Sequence, residues 1–414
     1  MRILFLTPYL PYPPTKGTAL RNLHLLRGAA RNHQAHLLTF GRESDLQAVE
    51  VLRRELAQVE MVSPPQRSTM QRLAGIPSAW PDLASRLHSP DFRQKLMDLL
   101  ETTVFDLVQV EGLEMAPYAL EVRRWRGPKD IPLLLFDDHN AEYLLQRSAY
   151  RADLGDPRRW IKAAYSLVQW QKLIRYEREV CQMSDAVLAV SQADAAALLA
   201  LDSRLHPKVI PNGVDTSFFG YRSMAGRRNG EPPTLVFTGT MDYRPNVDAA
   251  VWFCRQVLPL VRRQFPATRL LLVGREPSPA VRGLAGPNVE VTGPVDDVRP
   301  YLYQSDIFVA PLRMGSGTRL KILEAMSCGL PVVSTTMGLE GIGARSGQEA
   351  LVADNPRDFA GSVLDLLSDQ ARAQELATRA RLLVEHNYDW AMILPQLEEV
   401  YRGLASEMPK RRLP

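Results

Sequence analysis

The sequence predicts an α/β protein built from two doubly wound, Rossmann-like domains. Three observations carry that expectation: apolar strand-like runs alternate with helical patterns along the chain, a Gly/Arg-rich stretch divides two similar series, and 414 residues are enough for two or three domains at about 150 residues each. Hydrophobic residues make up 45% of the chain and charged residues 23%, so a well-cored globular protein is expected rather than a disordered, collagen-like or disulfide-stapled one.

The first half opens with the apolar run Ile3 to Leu6, a helical pattern from Thr18 to Ala30 through Leu20, Leu23 and Leu26, and a second run from Ala35 to Phe40. That order is a βαβ unit. Further buried strands are expected at Asp106 to Val110, Pro132 to Phe136, Ala186 to Val190 and Lys208 to Ile210. Strands separated by helices imply a parallel sheet covered on both faces. After the turn at Pro211-Asn-Gly-Val-Asp215, the stretch Gly220 to Pro233 has few core-forming residues and reads as a linker. The second series places strands at Thr234 to Thr238, Arg269 to Val273, Val289 to Thr292, Ile307 to Ala310 and Pro331 to Ser334. Helices are expected near Asn246 to Gln264, Val298 to Ser305 and Thr318 to Cys328, and a terminal helix from Trp390 to Met408 presents Ile393, Leu397, Val400, Tyr401 and Leu404 on one face. The domain boundaries that follow are 1–213 joined by 390–414, and 214–389.

A net charge of +4 is too small an excess for a dedicated nucleic-acid binder of this length, so nucleic acid is not an expected partner. Cys181, Cys254 and Cys328 are far apart and lack CxxC spacing, which argues against a disulfide framework or a thiolate metal site and favours a reducing, cytoplasmic setting. Pro8, Pro11, Pro13 and Pro14 cut short the apolar N-terminus, so no secretion signal is expected, and no run approaches the roughly 20 apolar residues needed to cross a bilayer.

Chemistry in such folds concentrates at the carboxyl ends of strands, and two domains facing each other across a cleft would share a site there. The segment Pro311 to Val333 holds a strand end, the turn glycines Gly315 and Gly317 around Ser316, a helix opening near Thr318, and Arg319 and Lys321 in the first helical turn. Free backbone N–H groups at a helix start attract anions, whereas cations there are unfavourable unless an anion is close; the pattern therefore points to a bound phosphate. Glu324, three residues beyond Lys321, can accept hydrogen bonds from sugar or ribose hydroxyls, the alternative being a Lys321–Glu324 surface pair. Lys16 and Gly17 lie between the first strand and helix, and His139 follows a strand in Phe136-Asp-Asp-His-Asn-Ala-Glu-Tyr143.

Glu324-Ala-Met-Ser-Cys-Gly-Leu-Pro-Val-Val333 resembles the second half of the signature of family 4 retaining glycosyltransferases, which have the GT-B fold. Ser184 to Ser191, Val209 to Phe218, Arg299 to Pro311 and the helix around Trp390 extend the resemblance over nearly the whole chain. The earlier signature Glu is replaced by Ser316 and a common loop Gly by Arg319. The first strand of the second domain ends in Gly239-Thr240 where the family often has Gly-Arg, and the Lys that follows is absent, leaving Arg244 as a further cation. The resemblance implies transfer of a sugar from a nucleotide-sugar donor to a saccharide or polyprenyl-linked acceptor, in exopolysaccharide or glycolipid synthesis. It implies catalytic roles for His139, Arg319 and Lys321, and donor contacts at Lys16, Gly17, Gly239, Thr240, Arg244, Gly315, Ser316, Gly317, Thr318 and Glu324. No Asp-x-Asp triplet occurs, so neither a metal nor another cofactor is expected. A sugar-nucleotide isomerase or epimerase of the same fold and a non-catalytic nucleotide-sugar binder are the alternatives.

The span Arg147 to Arg178 carries eight basic and three acidic residues interleaved with Tyr150, Trp160, Tyr165, Trp170 and Tyr176. It reads either as a helix lying at the inner face of the plasma membrane or as a solvated helix whose aromatics pack inward. The Pro- and Arg-rich stretch Ser63 to Trp80 is a second acceptor-side feature.

Overall fold

A computed structural model describes residues 1–14, 16–68, 70, 75, 77–125, 127, 131–155, 159–223, 231–315 and 317–411. The chain divides into two compact units, Met1–Pro211 with Leu394–Pro414, and Asn212–Ile393. Each unit contains its own parallel sheet, as the alternation of apolar runs and helices requires.

In the first unit the strands are β1 (Arg2–Thr7), β2 (Gln34–Phe40), β3 (Gln58–Val62), β4 (Leu107–Glu111), β5 (Leu133–Asp138), β6 (Ala186–Ala189) and β7 (Lys208–Val209), in the order β3-β2-β1-β4-β5-β6-β7. All pairings are parallel, with Leu4 opposite both His36 and Val108 and Phe136 opposite both Val110 and Val187. The central strands are buried on both faces, which explains their predominantly apolar character. Strand order reverses between β1 and β4, so the loops leaving these two strands diverge and open a crevice beside the end of β5.

The second unit repeats the plan with β8 (Thr234–Thr238), β9 (Arg269–Val273), β10 (Val289–Gly293), β11 (Ile307–Ala310), β12 (Val332–Ser334) and β13 (Leu351–Val352), ordered β10-β9-β8-β11-β12-β13 and again entirely parallel. Here the order reverses between β8 and β11. Separate apolar clusters fill the two faces of this sheet, one around Phe237, Phe253 and Phe359 and the other around Phe308, Met326 and Val384. The expected single helix Asn246 to Gln264 is instead Arg244–Trp252 and Leu258–Gln264 joined by a π-helical turn, Phe253–Val257. Pro259 has no N–H to donate to the preceding turn, and the wider turn absorbs that loss. The last helix, Trp390–Arg411, opens in the second unit and supplies Leu397, Tyr401 and Leu404 to the core of the first.

Close approach at the ends of β8 and β9 depends on Gly274. Its φ is +146°, and a Cβ there would overlap the carbonyl oxygen of Gly239. Gly274→Ala is therefore expected to lower stability by about 2–3 kcal/mol, read as an earlier midpoint in urea unfolding; an unchanged midpoint would show that the two strand ends separate freely.

Candidate functional site

Two groups of charged side chains occupy the strand-end crevices, one in each unit. In the first unit the helix Gly17–Ala30 places Arg21 four residues before Leu25, on its core-facing side, where the guanidinium is 1% exposed and the carboxylate of Asp137 is wholly buried. Arg21 Nε and Nη2 donate to the two oxygens of Asp137 at 2.8 Å each, and Nη1 donates to the carbonyls of Ile210 at 2.8 Å and Pro211 at 3.2 Å. His139 Nε2 lies 2.9 Å from Glu111 Oε2 and 3.6 Å from Asp137 Oδ2. Glu111, at the end of β4, accepts through its other oxygen from Gln109 Nε2 at 2.6 Å, and Gln109 accepts from the Tyr401 hydroxyl at 2.5 Å. Gly112, with φ +83°, leaves room for the ring: a Cβ there would come within 3.3 Å of His139 Nδ1.

Burial drives Glu111 up to about 7, reinforced by Asp137 and opposed by His139. For Asp137 burial pushes upward too, but the Arg21 charge outweighs it and holds the group below the ordinary carboxylate range. Burial disfavours charging His139, yet the Glu111 hydrogen bond and the two carboxylate charges win and raise its pKa. At neutral pH, Glu111 and His139 thus hold a proton between them beside an ionised Asp137. Glu111, Asp137 and His139 also lie close enough to share a cation, with ligand atoms within 4.8 Å. The bidentate Arg21 guanidinium already neutralises Asp137, which leaves the group less charge with which to hold a metal ion. Asp138, the next residue, is buried, and that burial together with the charges of Glu177 and Glu142 pushes its pKa well up.

In the second unit the helix that follows the glycine turn is Leu320–Ser327. Arg319 is its N-cap residue rather than part of the first turn, and Arg319 Nη1 donates to the Gly317 carbonyl at 2.8 Å. Lys321 does not pair with Glu324. Its ammonium donates to Asn246 Oδ1 at 2.8 Å, while Asn246 Nδ2 donates to the Thr240 carbonyl at 2.9 Å. Lys321 Nζ also sits 4.5 Å from the centre of the Phe237 ring, and a Cβ on Gly239 would come within 2.6 Å of it. The end of β8, Gly239-Thr240, is thereby joined to the Arg319–Glu324 segment. Desolvation lowers Lys321 to about 7, with Arg319 adding to the effect, and desolvation raises Glu324 to about 7 against the pull of Lys321. Gly315, with φ +110°, brings its backbone to the Arg319 guanidinium. Next to these residues a cavity of about 650 Å³ lies at the carboxyl ends of β11, β12 and β13, lined by Leu312, Thr335, Met337, Leu339, Glu340 and Val352 among others.

The structure therefore gathers Gly239, Thr240, Gly315, Gly317, Thr318, Arg319, Lys321 and Glu324 into one region, Thr318 lying against the loop glycine Gly341. Arg244 is exposed at the start of its helix. Lys16 is the exposed N-cap of the first helix, 5.5 Å over the Tyr9 ring, and Gly17 opens that helix. Ser316 lies outside the described residues. Arg21, Glu111, Asp137 and Asn246 were missing from the sequence reading. A charged residue on the core side of the Leu-rich first helix, and polar residues in the otherwise apolar Leu107-Val-Gln-Val-Glu111, were the available signals.

Residues 15–218 match the model of Glycosyltransferase Family 4 and residues 232–369 that of Glycosyl transferases group 1. The chain belongs to the family 4 type glycosyltransferases. This glycosyltransferase is 26% identical over 288 residues to a phosphatidyl-myo-inositol mannosyltransferase of Propionibacterium freudenreichii, covering 68% of this chain and 73% of that protein. Three other relatives are matched over between 42% and 55% of their own length. Among solved structures, a sucrose-phosphate synthase from Thermosynechococcus elongatus superposes with a TM-score of 0.72 at 17% identity, covering 98% of this glycosyltransferase and all of that chain. Anabaena Alr3699/HepE in complex with UDP and glucose gives 0.65 at 16%, covering 97% and 100%. These likenesses assign the GT-B class of two Rossmann-like domains.

Breaking the buried ion pair tests the first group. Arg21→Met is expected to cost about 3–5 kcal/mol in urea unfolding, because Asp137 is left charged and unpaired, and Arg21→Met combined with Asp137→Leu should recover much of that loss. The raised pKa values of His139 and Glu111 have the same sign: their contribution is complete below the unfolded values and is lost as pH rises through the folded ones. Between about pH 5 and 8 the stability of the wild type should therefore fall relative to Glu111→Gln. Parallel profiles would contradict the shared proton.

Proposed function

We propose that this glycosyltransferase moves a sugar from a nucleotide-sugar donor to a saccharide or lipid-linked acceptor with retention of anomeric configuration. The observation that carries the reading is the partly enclosed Arg319–Lys321–Glu324 segment beside a glycine turn, where two cations lie next to each other with their charged forms disfavoured. A diphosphate supplies what that arrangement lacks. It would draw Lys321 back to the ammonium form and meet the backbone at Gly317 and the start of the helix Leu320–Ser327. Glu324 takes the ribose hydroxyls, and the cavity at the ends of β11, β12 and β13, walled by Leu312, Leu339 and Val352, takes the base.

In the first unit, His139 acts on the transferred sugar, fixed by Glu111 and Asp137, and the Lys16–Gly17 loop acts on the donor phosphates. As the bond from sugar to diphosphate lengthens, negative charge grows on the leaving oxygens, and Arg319 and Lys321 stabilise it more than they stabilise the ground state. A donor phosphate oxygen accepts the proton of the acceptor hydroxyl as that hydroxyl attacks from the same face. No metal is required for this division of charge, and a polysaccharide or glycolipid product fits the acceptor classes named.

The test is release of free nucleotide from a panel of UDP- and GDP-sugars, with and without a lipid extract or oligosaccharide acceptor. Acceptor-dependent release that persists in EDTA is the expected outcome. Donor consumption without acceptor would indicate an isomerase, and binding without turnover a non-catalytic module. Glu324→Ala and Arg319→Ala should each weaken nucleotide diphosphate binding by about tenfold or more, ~1.4 kcal/mol, in calorimetry. Unchanged affinity in both would remove the diphosphate from this segment.

A further inference from the structure

The helix Trp160–Met183 in the first unit buries Tyr176 and half-buries Tyr165 and Trp170, but leaves an apolar stripe in solvent. Tyr176 is buried, and Trp170 stacks on Tyr150 with ring centres 6.1 Å apart. Trp160, Ile161, Ala164, Leu167 and Val168, at the spacing i, i+1, i+4, i+7 and i+8, form a single face turned to solvent. Ile161 is 89% exposed and Trp160 61%. A soluble helix ordinarily turns such a face inward. Beside the stripe lies a groove of about 670 Å³, whose walls include Trp80, Leu120, Leu167 and Val168 and whose cations are Arg124, Lys172 and Arg175. Lys162 and Arg175 are exposed on the same helix and Arg151 on the helix before it, against one exposed carboxylate nearby among the described residues, Glu179. Arg159 is paired with Asp153, while Asp156 and Arg158 lie outside the described residues. Desolvation lowers the pKa of Lys172, whose ammonium donates to the Trp80 carbonyl at 3.3 Å.

We infer that this face docks on an anionic lipid bilayer, with the stripe inserted among acyl chains and the groove receiving a lipid whose charged headgroup meets Arg124 and Arg175. An apolar face flanked by cations, with Glu179 the one exposed carboxylate among the described residues, is complementary to a layer that is apolar inside and anionic at its surface. A second copy of this chain would bring the same cations against themselves, so self-association fits the charge pattern less well. The inference deepens the lipid side of the proposed function, yet it fails separately: nucleotide release with a soluble acceptor tests the transfer, and vesicle binding tests this face.

The experiment is sedimentation of the full chain with phosphatidylglycerol vesicles and, separately, phosphatidylcholine vesicles. Binding to the anionic vesicles should exceed binding to the neutral ones by about tenfold and weaken at high salt. Tryptophan emission should shift to the blue on binding, with most of the shift lost in Trp160→Phe. Ile161→Asp and Val168→Asp should each cut vesicle binding by about tenfold or more while leaving the unfolding midpoint and acceptor-free nucleotide binding unchanged, and Lys162→Glu with Arg175→Glu should abolish the preference for anionic lipid. Equal affinity for both vesicle types, no binding, or unaltered binding by the aspartate variants would overturn the inference. So would a dimer that dissociates in Ile161→Asp while vesicle binding is unaffected.

Discussion

A guanidinium and a carboxylate removed from water, Arg21 and Asp137, hold the first unit's crevice in place. Each would be costly alone; together they satisfy both oxygens of Asp137 and spend the remaining Arg21 donors on the carbonyls of Ile210 and Pro211, where the chain leaves the first unit's sheet. The pair ties the first helix to the end of β5 and to the end of the unit's main segment. It also leaves Asp137 ionised, and that fixed negative charge keeps a proton on the neighbouring Glu111–His139 pair. The line continues through Gln109 to Tyr401, so a residue near the end of the chain bears on the position of His139. A histidine held in this way keeps one orientation and donates toward Glu111, which would give the proposed sugar-handling role its geometry before any ligand arrives.

The second unit uses the opposite strategy. Its charges are incompletely balanced within the protein: Lys321 has an amide oxygen and a ring face rather than a carboxylate, and Glu324 sits desolvated without receiving that ammonium. Such an arrangement costs stability in the protein by itself, and under the proposed function an anionic, hydroxyl-bearing ligand would compensate it. The two crevices thus divide the work by electrostatics. One is completed internally, and under the proposed function the other is completed by charge from the donor.

Much of this was legible in the sequence, and for a common reason. Central strands of a parallel sheet are buried on both faces, so β1, β4, β5, β8, β9 and β11 stand out as apolar runs. By contrast β3 lies at a sheet edge and alternates the polar Gln58 and Glu60 with the apolar Val59 and Met61, and β13 is only two residues long. The Arg319–Lys321–Glu324 segment was readable because cations at a helix start contradict the helix dipole unless something anionic is near. The Arg21–Asp137–Glu111 network was not, because its members come from three distant segments and each looks ordinary alone. Asn246 was hidden in the same way: an asparagine in the first turn of a helix is commonplace, and only the fold brings Lys321 to it.

The measurement that addresses the buried network most directly is an NMR titration of the His139 ring nitrogens in the full chain, run on the wild type and on Glu111→Gln. The expected result is a midpoint above the ordinary histidine value of about 6.5 in the wild type, moving down when Glu111 loses its charge. A wild-type midpoint at or below that value, or one indifferent to Glu111→Gln, would contradict a proton held between the two groups and, with it, the role assigned to the Arg21–Asp137 pair.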